Sequence, residues 1–149
     1  VTPDASLGTR VWPRGIVRAP QGRGDLGRRM QAILDRAPPG PVVIIGTDIP
    51  AITPAIIAAA FRVLGRKSCV FGPATDGGYW LVCARRRPRS PKPFAGVRWS
   101  SERALADTLK NLAGWSVDLV ATLSDVDDAT ALARCSSFGR RVLPRTNAS

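Results

Sequence analysis

The sequence predicts an α/β domain whose mainly parallel, open sheet is flanked by helices. Three observations carry this. Short apolar runs rich in β-branched residues, led by Pro41-Val42-Val43-Ile44-Ile45-Gly46, alternate with segments of helical periodicity. Those helical segments are long enough to cross back over a sheet, which parallel pairing requires. The length of 149 residues suits one domain, and a chain of that size buries roughly 68–70% of its unfolded surface.

Each element follows from local chemistry. Residues 1–24 are rich in Gly, Pro and Arg and predict little beyond a short extended piece at Gly15–Arg18. Asp25 to Arg36 reads as a helix with Leu26, Met30, Ile33 and Leu34 on one face, ended by Pro38-Pro39-Gly40. The continuous apolar run from Pro41 to Gly46 reads as a strand buried on both faces. Thr53-Pro54 opens a helix with a capping hydroxyl and a first-turn proline, and Gly65 ends it after Leu64. Ser68 to Gly72 and Tyr79 to Ala84 read as the second and third strands. Ser100 caps a helix reaching about Leu112, Val117 to Ala121 is a fourth strand, and Asp127 or Asp128 starts a last helix to about Cys135. Neither a repeat nor a linker divides the chain, so residues 1–149 read as a single domain.

Composition removes several chemistries. With no histidine there is no Ser-His-Asp or Cys-His catalysis, no HExxH zinc site and no His-ligated haem. Cys69, Cys83 and Cys135 stand far apart with no CxxC, against a zinc ribbon, an iron–sulfur site or a disulfide scaffold. Isolated thiols fit a reducing, cytoplasmic setting. The longest apolar run, Ala55 to Phe61, is far short of the ~20 residues that span a bilayer. No secretory signal pattern opens the chain, which starts at Val1 and has its only methionine at Met30. The net charge of +11, with 22 basic and 11 acidic residues, favours anionic partners. The densest basic cluster, Arg85-Arg86-Arg87-Pro88-Arg89, lies in a proline-rich loop rather than on a recognition helix.

The strongest local signal is Gly46-Thr47-Asp48-Ile49-Pro50, directly after a buried strand. In open α/β sheets ligands bind beyond the carboxyl ends of strands. Gly46 leaves room for a ligand, and Pro50 keeps Ile49 extended. Asp48 is thereby placed to hold a hard cation such as Mg²⁺, which takes one or two carboxylates and completes its shell with phosphate and water. An ordinary strand-to-helix turn is the plainer reading of the same residues. A second signal, Thr75-Asp76-Gly77-Gly78-Tyr79-Trp80, sets a carboxylate and a hydroxyl beside two glycines at a strand lip, or else is a simple turn. A third, Asp125-Val126-Asp127-Asp128, either completes a metal site, with Asp127 the best candidate, or caps a helix. Gly22-Arg23-Gly24-Asp25-Leu26-Gly27 matches GxGxxG, the basis of an alternative, Rossmann-type NAD-binding reading. The apolar strand that should lead into its first glycine is missing, because Arg18-Ala19-Pro20-Gln21 stands there.

Several motifs occur in order: Gln21…Gly24-Asp25-Leu26-Gly27…Arg29-Met30, Gly46-Thr47-Asp48-Ile49-Pro50, Phe71 through Leu81 containing Asp76-Gly77-Gly78, Val97-Arg98-Trp99-Ser100, and Asp125-Val126-Asp127. Together they closely resemble the bacterial glycosyltransferase-like family often found near selenium and radical-SAM genes. That family belongs to the nucleotide-diphospho-sugar transferase superfamily, of GT-A fold. The resemblance spans about residues 1–135. It implies a glycosyltransferase or nucleotidyltransferase acting on a nucleotide sugar or nucleoside triphosphate with Mg²⁺ or Mn²⁺. Asp48 matches the metal-binding Asp of the family's GxDxP motif, with Asp127 as a second candidate ligand. The loop of Gly24, Asp25, Leu26 and Gly27 resembles the one near the nucleotide base. Thr47, Gly77 and Gly78 join it as substrate-binding candidates, Arg29 and Arg98 as phosphate partners, and Asp76 as the candidate catalytic base.

The chain also departs from the family. Members open with ~60 further residues, roughly three strands and two helices with a phosphate loop, so the chain reads as a partial, N-terminally truncated GT-A domain. Cys83 stands where Gly is usual, and Asp128-Ala129 replaces Thr-Pro. The missing first strand would leave Val42 to Ile45 with an unpaired edge, which predicts a homo-oligomer that covers it or a weakly stable, inactive fragment. A non-catalytic binder of phosphate-rich polymers is the rival class, although nucleic acid fits the scattered arginines poorly.

Overall fold

The computed structural model describes Gly8, residues 15–46 and residues 48–124. Thr47, Asp125, Asp127, Asp128, the expected last helix and Cys135 lie outside the described residues. Helix α1 (Leu26–Arg36) starts where Asp25, in an extended conformation, accepts a 2.7 Å bond from the Arg28 N–H. Strand β1 (Val42–Ile45) follows the Pro38-Pro39-Gly40 break. Helix α2 (Pro54–Leu64) is capped by the Thr53 hydroxyl, which accepts from the Ile56 N–H at 3.3 Å. Strands β2 (Cys69–Pro73) and β3 (Tyr79–Ala84), helix α3 (Ala104–Lys110) and strand β4 (Val117–Leu119) complete the order. No described helix is long and apolar enough to cross a membrane.

The sheet order is β1-β3-β2-β4, and it is mixed rather than mainly parallel. β3 runs antiparallel to both neighbours, pairing Ile44 with Val82 on one side and Phe71 on the other. Among the described strands only β2 and β4 are parallel, extended by the Ala74–Leu123 bridge. The reason lies between Pro73 and Tyr79. That connection is too short for a crossover helix, and only antiparallel strands close through a tight turn. α1 and α3 cover one face of the sheet and α2 the other, as expected of flanking helices.

Side-chain alternation divides the core accordingly. Cys69, Phe71, Val82 and Ala84 pack with Met30, Leu34 and Phe94 on the α1 face. Val70, Leu81 and Cys83 pack with Ala60 and Leu64 on the α2 face, joined by Trp80 where a register shift opposite Gly72 and Pro73 breaks the alternation. Each fully buried side chain of Leu or Phe size contributes about 1.5–3 kcal/mol relative to exposure.

Two expectations need correction, and two others gain detail. β1 is not buried on both faces: Val42 to Ile44 are half-buried and Ile45 is 43% exposed, because β1 is paired with β3 alone among the described residues. Ser100 does not cap α3. Its φ of 55° turns the chain, residues 101–103 form turns, and the helix opens at Ala104 without a side-chain cap. The Gly15–Arg18 piece is exposed and in no strand, so no strand leads into Gly22-Arg23-Gly24, and the dinucleotide-loop alternative lacks its scaffold. The basic cluster is partly structural. The Arg86 guanidinium donates to the carbonyls of Leu34 at 2.8 Å, Ala37 at 2.9 Å, Gly40 at 3.0 Å and also Pro38, while Arg85 donates to Gly65. Two neighbouring arginines thus satisfy carbonyls at the C-terminal ends of α1 and α2.

Candidate functional site

The end of β1, the start of β3 and the first turns of α1 surround a cleft of about 380 Å³. Its floor and inner wall are apolar: Met30 and Ile33 from α1, Ile44 from β1, and Tyr79 and Val82 from β3. Polar groups enter at the mouth. Asp48 follows β1, Asp76 and Gly78 lie in the turn between β2 and β3, and Gln21 and Arg29 approach from the start of α1. Trp99, Ser100 and Ser101 close the remaining side.

Asp48 is exposed and stands just past the carboxyl end of β1, a strand antiparallel to its neighbour rather than parallel as expected. Behind it Ile49 is buried in the α2-side core, and its carbonyl accepts from the Ile52 N–H at 3.2 Å. A methyl at Gly46 would lie 3.1 Å from Asp48 Oδ1. The space at Gly46 therefore accommodates Asp48's own carboxylate. That carboxylate has no hydrogen bond or ion pair among the described residues.

Asp76 is held by a local device. Its Oδ1 accepts the Gly78 N–H at 2.8 Å, and the turn is closed by Ala74 N–H to the Gly78 carbonyl at 3.0 Å. The segment is thus both a hairpin turn and a wall of the cleft. The turn docks on the segment before α3, where the Leu105 N–H donates to the Gly77 carbonyl at 3.0 Å. Gly77 has φ 87°, and a side chain there would collide with the Glu102 backbone.

The other candidates divide. Leu26, Arg29 and Gly78 line the cleft; Gly24, Asp25, Gly27, Gly77 and Arg98 do not. The half-buried Arg29 donates to Gln21 Oε1 at 3.0 Å and to the Asp25 carbonyl at 3.3 Å. Asp25 is the cap of α1. Gly27 is a packing glycine, since a Cβ there would meet the Phe94 carbonyl at 2.6 Å and Trp99 Cζ2 at 2.9 Å. Arg98 forms a two-pronged pair with Asp107, at 2.8 and 2.7 Å, which corrects its reading as a phosphate partner in the cleft. That guanidinium and the Arg98 N–H hold the Asp107 carboxyl well below the usual carboxylate range.

Sequence reasoning missed Tyr79, Trp99 and Ser101 as cleft residues and read Ser100 as a helix cap. Tyr79 packs edge-on against Phe71 and Trp99, and burial pushes its phenol up. The available signal was Trp99-Ser100 itself, an aromatic and a hydroxyl side by side within the recognised motif.

Two carboxylates at a cleft mouth over an apolar floor can accept hydrogen bonds from hydroxyls or bind a hard cation. Among the described residues no three acidic or thiol side chains converge, so a cation here would draw most of its shell from ligand oxygens and water.

Comparisons with known proteins bear on the family and the fold. The model of a family described as "uncharacterized protein conserved in bacteria (DUF2064)" matches residues 2–101. In three dimensions the chain is similar to the crystal structure of a "putative nucleotide-diphospho-sugar transferase" from Desulfovibrio desulfuricans G20, with a TM-score of 0.69 and 28% identity. The match covers 87% of this chain and 58% of that one, so this chain spans somewhat over half the length of its neighbour. No curated protein matches it.

Proposed function

We propose that this chain, which belongs to the DUF2064 family of proteins conserved in bacteria, carries the metal-dependent transfer site of a glycosyltransferase or nucleotidyltransferase, with a nucleotide sugar or nucleoside triphosphate as donor. The observation that carries the reading is that Asp48 and Asp76, from two different connections, line one cleft at the sheet's end, the Asp48 carboxylate without a partner among the described residues. The likeness to the nucleotide-diphospho-sugar transferase structure supports the same class.

The residues fit a Mg²⁺ or Mn²⁺ ion bound through few protein oxygens. Asp48 would hold it, with Asp127 and Thr47, outside the described residues, as further candidates. Such an ion supplies charge neutralisation on the leaving phosphate oxygens. Arg29, half-buried at the mouth, orients a donor phosphate. Asp76 takes the proton of the incoming nucleophile, because one of its oxygens is fixed by the Gly78 N–H and the other remains available. The backbone of Gly78 sets the aim of that carboxylate.

Isothermal titration of UDP, CDP and GDP sugars, with and without Mg²⁺ or Mn²⁺, tests the reading. Metal-dependent binding of one nucleotide is expected. Asp48→Ala should weaken it by about tenfold or more, equal to about 1.4 kcal/mol or more, while leaving the melting temperature nearly unchanged. Binding indifferent to metal, or salt-sensitive binding of any nucleic acid in its place, would overturn it.

A further inference from the structure

Resting on that reading, we infer that the Trp99–Ser100 turn is the subsite for the sugar ring, so that the transferred group is a polyhydroxylated ring held between this turn and Asp76. Ser100 has φ 55° and is the one non-glycine residue with positive φ among those described. A non-glycine residue in that region is strained and persists only where its surroundings over-determine it.

The surroundings here do so from three sides. Before the turn, Arg98 is fixed through its backbone N–H and its guanidinium by Asp107, at 3.1, 2.8 and 2.7 Å. After it, the Ser101 hydroxyl donates to the Arg98 carbonyl at 2.7 Å and accepts from the Arg103 N–H at 3.3 Å. Beneath it, Trp99 lies with ring centroids 6.3 Å from both Tyr79 and Phe94, in space that Gly27 leaves open. The result is a fixed backbone that sets an exposed serine next to a half-buried indole, both lining the cleft.

A pyranose presents an apolar C–H face and a rim of hydroxyls that both donate and accept. An aromatic ring suits the face, and a serine hydroxyl with a neighbouring carboxylate suits the rim. The carboxylate is Asp76: its turn is docked on the same segment through the Leu105 N–H to Gly77 carbonyl bond and the Gly77–Glu102 contact. A nucleobase also stacks on indole, but its edge is read by groups held in a plane, and two carboxylates and rotating hydroxyls offer few donors for its carbonyls. The sugar therefore fits this corner better than the base.

The test compares UDP with UDP-glucose, GDP with GDP-mannose and CDP with CDP-glucose, each with Mg²⁺, by titration calorimetry on the wild type, Ser100→Ala and Trp99→Phe. Ser100→Ala keeps the Cβ and removes only an exposed hydroxyl; Trp99→Phe keeps a ring and removes the N–H. Melting curves confirm that both fold. The expected result is a loss of about tenfold in affinity for the nucleotide sugar in Ser100→Ala, a smaller loss in Trp99→Phe, and no change for the free diphosphate. Equal losses for sugar and diphosphate would assign the turn to the nucleotide, and unchanged affinities would leave it no role; either overturns the subsite while the transferase reading stands. A wild type that binds none of the six ligands overturns both.

Discussion

Asp48 and Asp76 reach one cleft by opposite means. The Asp48 carboxylate sits in space that Gly46 leaves open, whereas Asp76 is tied by the Gly78 N–H. Sequence reasoning reached both because a carboxylate beside glycine at a strand end is a local pattern. It missed Ser100 because a serine before a helical stretch also reads as a cap; only the φ of 55° and the role of Ser101 separate the two. Two predictions belong to this scale. Burial pushes the thiols of Cys69 and Cys83 up to about 12. In a Cys135→Ser background they should therefore resist thiol reagents at pH 8 and react fully once urea unfolds the chain; rapid native labelling would contradict their burial. The sign of the linkage follows. The unfolded chain releases these protons near pH 9 and the folded chain does not, so stability falls as pH rises above that value. The Asp107 carboxyl is shifted the other way by Arg98, so its contribution is present above about pH 4 and lost as pH falls toward its folded value. Asp107→Asn should melt earlier than the wild type at pH 7, with the gap closing on acidification. A gap that widens in acid would refute the pairing.

At the level of elements, the starts of α1 and α2 were the most legible features because their caps are local chemistry, while that of α3, which has no side-chain cap, was not. Asp25 and Thr53 sit where expected, each accepting from the N–H three residues on. Strand direction was less legible. The segment between Pro73 and Tyr79 contains the turn that forces β3 antiparallel, but its glycines also read as a ligand loop, and the segment is both. The basic loop after β3 was the least legible. Nothing local tells that Arg86 turns inward to the end of α1 while Arg87, one residue on, is exposed. The contrast gives a prediction. Arg86→Ala removes charged donors from several half-buried carbonyls and should cost about 1.5–3 kcal/mol in urea unfolding. Arg87→Ala should stay within about 0.5 kcal/mol. Equal effects would mean that the loop arginines act only through their charge.

For the molecule as a whole, charge and architecture have to be reconciled. The chain carries 22 basic against 11 acidic residues, so at least half of its cations have no acidic residue to pair with one to one; ion pairs within the described residues include Lys67–Asp118 at 3.6 Å and Arg98–Asp107 at 2.7 Å. Surface pairs of this kind contribute about 0–1 kcal/mol each. The remaining positive charges repel one another, and a net charge far from zero destabilises the compact state. Salt weakens both effects, but the excess of basic over acidic residues makes repulsion the larger of the two. The screening length falls from about 30 Å at 0.01 M to about 3 Å at 1 M ionic strength. The melting temperature should therefore rise as sodium chloride is raised from about 0.01 to about 0.5 M. Most of the rise should come early, where the screening length drops below the spacing of the surface arginines. The cleft gives the same experiment a second reading. If an anionic donor binds near Arg29, a nucleoside diphosphate with Mg²⁺ should raise the melting temperature at constant ionic strength, and Asp48→Ala should abolish that increment while keeping the response to salt. A melting temperature that falls with salt would show that attractive pairs dominate the surface. An increment that survives Asp48→Ala would move the anion site away from the mouth of the cleft.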